Sequence, residues 1–178
     1  MPKGEVTGFV DESIRGQRYL LSCVFIETKD LSKIRIALRR FVGPNRHVHF
    51  RHESNTTRAA FLELISSLDV SCFIVETRMD QGVNTRVARA KCISLLVKYI
   101  QDSSKATRIV IEDFSDSKND VQVIQAVRKK SPTLNFEHRD GKHCPELWIA
   151  DAIVWAYGLG PRWKNRVQSL IDKHLKID

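Results

Sequence analysis

The sequence predicts an α/β fold built on a mixed sheet of five strands, with an antiparallel start, a parallel end and flanking helices. Two β-rich runs near the beginning are joined by a connection short enough for a hairpin. Later, strand-like apolar segments alternate with amphipathic helical segments, as in the crossovers of a parallel sheet. No repeat, linker or low-complexity stretch interrupts the chain, so we expect a single domain over residues 1–178.

The first half of the chain supplies the hairpin and two helices. Residues 6–11 and 19–26 are the two β-rich runs. An aspartate can cap a helix over 30–41, where apolar side chains recur at helical spacing. The segment HVHF at 47–50 is predicted to be a short strand before a second helix at about 56–68.

The second half alternates strands and helices. Strands are predicted at 70–77, 109–111 and 134–138, and helices at 84–101, 121–130, 145–157 and 164–175. The run Ile109-Val110-Ile111 is continuously aliphatic, which is typical of a strand covered on both faces. Ser117 and Asp120 have the spacing of a capping box before the following helix.

The charge of the chain indicates an anionic partner. Of the 178 residues, 42% are apolar and 28% are charged, and the formal net charge is +8. Such an excess favours nucleic acid as the partner, ahead of a membrane surface. A basic surface that only maintains solubility is the competing interpretation. Charge indicates a class of partner and no reaction.

The cysteines and the amino terminus favour a reducing compartment. No two cysteines are spaced C-x-x-C, so a structural zinc site is not indicated. Cys23, Cys72 and Cys92 lie in apolar runs typical of reduced core residues. The first residues contain no hydrophobic signal segment, and no apolar run approaches the length of a membrane span. We therefore expect a cytoplasmic protein with no membrane partner.

Two acidic pairs follow two of the predicted strands. Asp11 and Glu12 end the first strand, and the pair at 112–113 ends the fourth. The carboxyl ends of neighbouring parallel strands meet at one sheet edge, where ligands of α/β proteins bind. Because neighbouring side chains of a strand point to opposite faces, only one acid of each pair needs to face a common site. The choice between Glu112 and Asp113 is open, and strand-end acids that simply face water are the alternative.

Asp151 makes a shared acidic site the preferred interpretation. It lies in the segment LWIADAIVWAY at 147–157, and its neighbours at helical spacing are all apolar. A buried carboxylate without a cation is costly or takes up a proton. A metal ion would satisfy it, and an Arg or Lys from elsewhere in the fold is the alternative.

The three acids form a candidate metal site. Asp11, Glu112 and Asp151 would supply an all-oxygen set of ligands suited to Mg²⁺ or Mn²⁺, with Glu12 or Asp113 as a fourth. Two such ions about 4 Å apart can activate a water molecule and stabilise the leaving oxygen of a phosphodiester. The common nucleotide-binding, serine-hydrolase and zinc-protease motifs are missing from the sequence. We therefore expect these acids to be the catalytic residues.

Four segments of the chain resemble a known family in order and spacing. They are FVDES at 9–13, HF at 49–50, the acid closing the fourth strand, and LWIADAIVWA at 147–156. They resemble the ribonuclease H-like family called domain of unknown function 3800, over roughly residues 8–158. The resemblance implies a ribonuclease H-like fold, with an acidic site formed by Asp11, Glu112 and Asp151.

Basic and histidine side chains near the HF segment are the candidates for contacting nucleic acid. Arg46, Arg51 and Arg58 flank this segment and are the best phosphate candidates. His49, which matches the histidine of the family's HF, could ligate metal, move a proton or contact phosphate. Its alternative role is that of a polar residue on a surface strand.

The sequence favours a metal-dependent nuclease, or a related enzyme that processes phosphodiesters, with nucleic acid as its partner. Two alternatives use the same fold. One is a non-catalytic nucleic-acid-binding module, and the other is a protein-interaction or defence-associated component whose basic face meets an acidic protein. DNA, RNA and their hybrid are all open as substrates, and no pattern indicates an oligomeric state.

Overall fold

The centre of the molecule is a mixed sheet of six strands, seen in a computed structural model that describes residues 4–177. The strands are β1 (Val6–Arg15), β2 (Arg18–Glu27), β3 (Ser71–Arg78), β4 (Arg108–Glu112), β5 (Asn135–Arg139) and β6 (Ile171–Ile177). Their spatial order is β5-β4-β1-β2-β3-β6. The pairs β1–β4, β4–β5 and β3–β6 are parallel, whereas β2 is antiparallel to both β1 and β3. The predicted mixed α/β sheet is confirmed, with one strand more than expected.

Helices cover both faces of this sheet. They are α1 (Thr28–Val42), α2 (Asn55–Ser66), α3 (Thr85–Ser103), α4 (Ser117–Val127), α5 (Pro145–Leu159) and α6 (Pro161–Val167). One hydrophobic core lies between the sheet and α1, α2, α5 and α6, and a second lies between the sheet and α3 with α4. None of the helices in the described part of the chain is long and apolar enough to cross a membrane. The four cysteines are free and buried in these cores.

The hairpin of β1 and β2 is longer than its hydrophobic pattern indicates. The two strands pair from Val6 with Glu27 to Arg15 with Arg18, so β1 extends four residues beyond the predicted end at Asp11. Gly16 in the connecting turn has a φ of 59°, a left-handed conformation that glycine adopts without strain. The extension places Arg15 beyond the end of β4, close to the last turn of α5.

The last strand corrects the prediction of a helix over residues 164–175. Helix α6 ends at Val167, a 3₁₀ turn follows at Gln168–Leu170, and β6 then pairs in parallel with the edge of β3. Amphipathic spacing favours a helix here, but the unpaired edge of β3 offers main-chain hydrogen bonds that only an extended segment can use. Leu175 and Ile177 pack against the core on the α3 side.

The segment HVHF also departs from its prediction, because it is not a strand. Val48 and Phe50 are buried while His47 and His49 are exposed, so the expected alternation is present without a pairing partner. A 3₁₀ turn follows at Phe50–His52. The Phe50 ring packs edge-on against Trp155 of α5, with ring centroids 5.1 Å apart. This contact holds the segment against the helix that carries Asp151.

Candidate functional site

A cleft of about 240 Å³ lies where β4 ends and β1 continues past it. Its lining includes Asp11, Glu112 and Asp151, so the structure brings all three predicted site acids to one surface. A larger cleft of about 540 Å³ lies at the opposite end of the sheet, where β1 and β4 begin. Ligands of α/β sheets bind at the carboxyl ends of the strands, and the smaller cleft is therefore the candidate site.

Asp11 is the acid that β1 places in the cleft. It follows the last parallel pair with β4 and is 8% exposed. Its Oδ1 accepts the backbone N–H of Glu12 at 2.7 Å. Burial raises the pKa of Asp11 well above its usual range, and the charges of Asp151 and Glu112 raise it further.

Asp151 faces the same cleft from α5. Its Oδ2 accepts the backbone N–H of Phe50 at 2.8 Å, which ties the HF segment to the site. Burial raises the pKa of Asp151, and the N–H of Phe50 opposes that shift. Electrostatic interactions with His49, His52 and Arg15 also oppose it.

No basic side chain neutralises this pair of carboxylates by direct contact. Within residues 4–177, no Lys, Arg or His forms an ion pair with Asp11 or Asp151. The alternative of a buried structural ion pair at Asp151 is therefore not realised. Two buried carboxylates that repel each other have a strong affinity for either a proton or a cation.

Glu112 is the third acid of the cleft and is held by the turn after β5. Its Oε1 accepts the backbone N–H of Gly141 at 3.1 Å, and a Cβ at that position would lie 2.6 Å from Oε2. Trp148 of α5 donates its indole N–H to the Gly141 carbonyl at 2.7 Å and fixes the turn. Burial raises the pKa of Glu112 to about 7, and Asp140 and Asp151 add to that shift.

The structure distinguishes Glu112 from its neighbour Asp113. Glu112 lines the cleft, whereas Asp113 is exposed and accepts a hydrogen bond from the Ser117 hydroxyl at 2.6 Å. The predicted capping box of Ser117 with Asp120 is wrong, because Asp120 is buried and bonded elsewhere. Neighbouring side chains of a strand point to opposite faces, so only one acid of the pair can face the cleft. That acid is Glu112.

Glu12 points to the opposite face of the sheet and is occupied there. Its carboxylate accepts hydrogen bonds from Arg89 Nη1 at 2.9 Å and from the Tyr19 hydroxyl. Arg89, only 2% exposed, also donates from Nε and Nη2 to Asp120, at 2.8 Å each, and His138 contacts the same Asp120 at 2.9 Å. Glu12 therefore borders the cleft with its carboxylate already bonded to Arg89 and Tyr19. The Asp113 carboxylate is bonded to Ser117.

The cleft acids have the chemistry of a divalent-cation site but are not assembled as one. Among the described residues, no group of three or more His, Cys, Asp and Glu side chains is arranged so that it could hold a metal ion. Asp11 and Asp151 supply carboxylate oxygens, which are the ligands that Mg²⁺ and Mn²⁺ prefer. Glu112 accepts the Gly141 N–H through Oε1 and would complete the set through Oε2.

The histidines and arginines in and around the HF segment have different environments. His47 and His49 line the cleft, and the His49 ring lies 4.7 Å from that of His52. Arg46 and Arg51 are exposed. Arg58 is engaged with the protein itself, because its guanidinium donates to the carbonyls of residues 50 and 51 and to a side-chain oxygen of residue 55. Arg58 therefore braces the segment.

Several further cleft residues, Asp140 among them, were not anticipated from the sequence. Phe114, Lys142 and Trp148 all line the site. Phe114 is 42% exposed although it directly follows the acids of β4, and Lys142 lies in the turn that holds Glu112. Two local signals were available, because Phe114 directly follows the strand-end acids and Trp148 lies one helical turn before Asp151. Lys142 reaches the cleft through tertiary contacts.

Comparisons with known proteins identify the fold. No family model and no curated protein matches the sequence. Among solved structures, a mutant of Bst-RNase HIII has a TM-score of 0.53 at 10% identity, over 85% of this chain and 51% of that chain. Bst-RNase HIII in complex with Mn²⁺ has a TM-score of 0.51 at 8% identity, over 93% and 54%. RNase HII of Archaeoglobus fulgidus, in its complex with PCNA, has a TM-score of 0.53 at 13% identity, over 92% and 74%.

The chain has a ribonuclease H-like fold. The fold that the sequence resemblance implied is confirmed by these structures. At 8–13% identity, the likeness extends to the fold and to no particular activity. The chain spans about half the length of the two Bst-RNase HIII chains that it matches.

The position of Glu112 predicts a specific pH dependence of stability. Its folded pKa of about 7 lies above the ordinary value of 4.5, so the folded state holds this proton more tightly than the unfolded state. The resulting stabilisation is complete below pH 4.5 and is lost as the pH rises through about 7. We expect Glu112→Gln to remove this loss, on the order of 2 kcal/mol, from urea-unfolding curves measured in EDTA.

The control for this measurement is Glu63→Gln, which changes an exposed glutamate on α2. Its pH profile should match that of the wild type. If the Glu112→Gln and wild-type profiles are parallel between pH 4.5 and 8, Glu112 is not the buried, proton-binding acid described here.

The buried position of Arg89 predicts a large effect of its removal. Arg89→Met would leave Glu12 and Asp120 without their cation on the buried side of the sheet. We expect the free energy of unfolding to fall by about 3–5 kcal/mol. Arg86→Met, on an exposed position of the same helix, should change it by about 0.5 kcal/mol or less. Similar effects of the two substitutions in chemical denaturation would contradict the structural role of Arg89.

Proposed function

We propose that the protein is a metal-dependent nuclease, or a related enzyme that processes phosphodiesters, which uses Mg²⁺ or Mn²⁺. The observation that carries this proposal is the pair of buried carboxylates, Asp11 and Asp151, which share a cleft and have no ion-pair partner within residues 4–177. A divalent cation would relieve both their burial and their mutual repulsion.

The residues of the cleft would have different chemical roles in such an enzyme. Asp11 and Asp151 would bind the cation, which in hydrolases of this kind activates water and stabilises the leaving oxygen. Glu112, whose pKa of about 7 lets it hold or release a proton near neutrality, would act as general acid–base or as a further ligand through Oε2. His49, which lines the cleft, would contact phosphate.

Nucleic acid is the substrate class that the surface charge favours. The net charge of +8 attracts polyanions, and Arg46 and Arg51 are exposed beside the cleft segment. Among the neighbours in fold, Bst-RNase HIII is described in complex with Mn²⁺, and RNase HII is also a ribonuclease by name. The likeness to Bst-RNase HIII supports a divalent metal, and both likenesses support a nucleic-acid substrate for this chain.

Two broader assignments accompany this proposal. We propose membership of the domain of unknown function 3800 family, on FVDES, HF and LWIADAIVWA, and the structure places residues of all three segments around one cleft. We also propose a cytoplasmic protein, because its four cysteines are free and buried.

A non-catalytic nucleic-acid-binding module is the second candidate. One observation favours it: within the described chain the cleft acids do not form a group able to hold a metal ion, and Glu112 is bonded to the Gly141 N–H. In that case the fold and the basic surface would bind nucleic acid without metal-dependent turnover.

The test combines metal binding with cleavage. Mn²⁺ and Mg²⁺ are titrated by calorimetry into the wild type, Asp11→Asn, Asp151→Asn and the double variant, and cleavage of DNA, RNA and hybrid oligonucleotides is then followed. We expect the double variant to lose metal binding and each single variant to lose about 100-fold or more in cleavage rate, because each removes a charged ligand.

The control is Asp69→Asn, which removes an exposed carboxylate at the other end of the sheet. It should leave both binding and cleavage as in the wild type. Nucleic-acid binding without any metal-dependent cleavage in the wild type, unaffected by Asp11→Asn, would overturn the nuclease proposal and select the binding module.

A further inference from the structure

The guanidinium group of Arg15 is left without hydrogen-bond partners. Its Nε and Nη2 are buried and unpaired, and they are the only buried side-chain nitrogen or oxygen atoms in residues 4–177 for which this holds. Folded proteins pair nearly all such groups, so an exception calls for a bound partner such as an ion or a ligand. Arg18, which pairs with Arg15 across the hairpin, provides a contrast because its Nε is bonded to Glu76 at 2.7 Å.

The aliphatic part of the Arg15 side chain (its stem) packs against α5, and the guanidinium lies over a residue of the same helix that carries Asp151. A Cβ at Gly158 would lie 3.3 Å from Arg15 Cγ, so the absence of a side chain there leaves room for the stem on α5. The guanidinium lies over the ring of Trp155, 5.0 Å from its centroid. Trp155 lies one helical turn beyond Asp151. The negative charge of Asp151 acts to raise the pKa of Arg15.

Two other arginines collect around the same point and form, with Arg15, the arginine cluster (Arg15, Arg51 and Arg58). Arg58 lies over the same Trp155 ring at 4.3 Å. Burial, followed by the charges of Arg51 and Arg58, lowers the pKa of Arg15, and Asp151 is the acid that opposes this shift. Arg51 and Arg58 thus add positive charge near Arg15.

We propose that the arginine cluster binds a phosphate group of a nucleic-acid chain whose neighbouring phosphodiester lies at Asp11 and Asp151. This inference rests on the proposed function for the identity of the chain. The unpaired Nε and Nη2 share one edge of the guanidinium plane, the edge that bonds two phosphate oxygens at once. Arg58 contributes charge, because three of its donors already bond to the protein.

The edge that would bind phosphate is buried, so binding requires a movement of the Arg15 side chain. Arg15 as a whole is partly exposed, and binding would require a change in its last torsions that brings the buried edge to the surface. Arg51 is exposed and can close over the bound phosphate. Arg15 would then act as a binding residue that fixes the strand relative to the carboxylates.

The test measures binding without metal. The affinity of fluorescein-labelled DNA, RNA and hybrid duplexes is followed by anisotropy in EDTA for the wild type, Arg15→Met, Arg15→Lys and the control Lys98→Met. Lys98 is exposed on α3, on the other face of the sheet, so its substitution removes one charge far from the cleft. A second measurement follows the melting temperature of each protein with inorganic phosphate.

We expect Arg15→Met to weaken binding of at least one duplex about 10-fold or more, and Lys98→Met by about 2-fold or less. Arg15→Lys, which keeps the charge but not the two-pronged edge, should fall between them. Without phosphate, Arg15→Met should melt no lower than the wild type, because the lost nitrogens were unpaired. Phosphate should raise the melting temperature of the wild type and not that of Arg15→Met.

Two outcomes overturn the inference. Equal affinities for Arg15→Met and Lys98→Met would show that Arg15 contacts no phosphate of the bound chain. Stabilisation by inorganic phosphate through Arg15, with unchanged duplex affinity, would assign the cluster to a free phosphate instead. Arg15-dependent binding together with no metal-dependent cleavage would uphold the inference and reject only the nuclease proposal.

Discussion

The carboxylates of Asp11 and Asp151 face one cleft from β1 and α5, and the rest of the site depends on how their charges are balanced. Burial raises the pKa of both, and each repels the other. A raised carboxyl pKa means that ionisation near neutral pH weakens the folded state, by about 1.4 kcal/mol for each unit. The fold tolerates this cost at the end of its central strand, where α/β proteins place their ligands. Raised pKa values of buried acids are typical of functional sites.

The surrounding contacts hold the two carboxylates in place without neutralising them. The Ser22 hydroxyl of β2 donates to the Ala150 carbonyl at 2.9 Å, which joins the sheet to α5 beside Asp151. The Phe50 N–H fixes Asp151, and Arg58 in turn bonds the Phe50 carbonyl. On the other side of the sheet, Arg89 neutralises Glu12, so the charge of this neighbouring acid is balanced separately. The acid on the Arg89 side of the sheet is therefore neutralised, whereas Asp11 and Asp151 on the α5 side are left for a ligand.

Local patterns were sufficient to predict the fold class and three acids of the cleft, whereas Asp140, which also lines it, was not predicted. An aliphatic run ending in an acid identifies Asp11 and Glu112, and an acid within an apolar helix identifies Asp151, without knowledge of the tertiary structure. The failures are nonlocal. The role of Glu12 depends on Arg89, 77 residues away, and β6 forms because β3 offers an open edge. Arg15 was missed because what distinguishes it is the lack of a partner, which a sequence cannot display.

Diffraction from crystals soaked in Mn²⁺, recorded with the anomalous signal of manganese, tests the central claim most directly. The account predicts an anomalous peak in the cleft, within coordination distance of a carboxylate oxygen of Asp11 and of Asp151, which disappears in the Asp11→Asn, Asp151→Asn double variant. A cleft without a peak at saturating Mn²⁺, or a peak that persists in the double variant, would contradict it. In either case, these two carboxylates would not be the metal ligands of the protein.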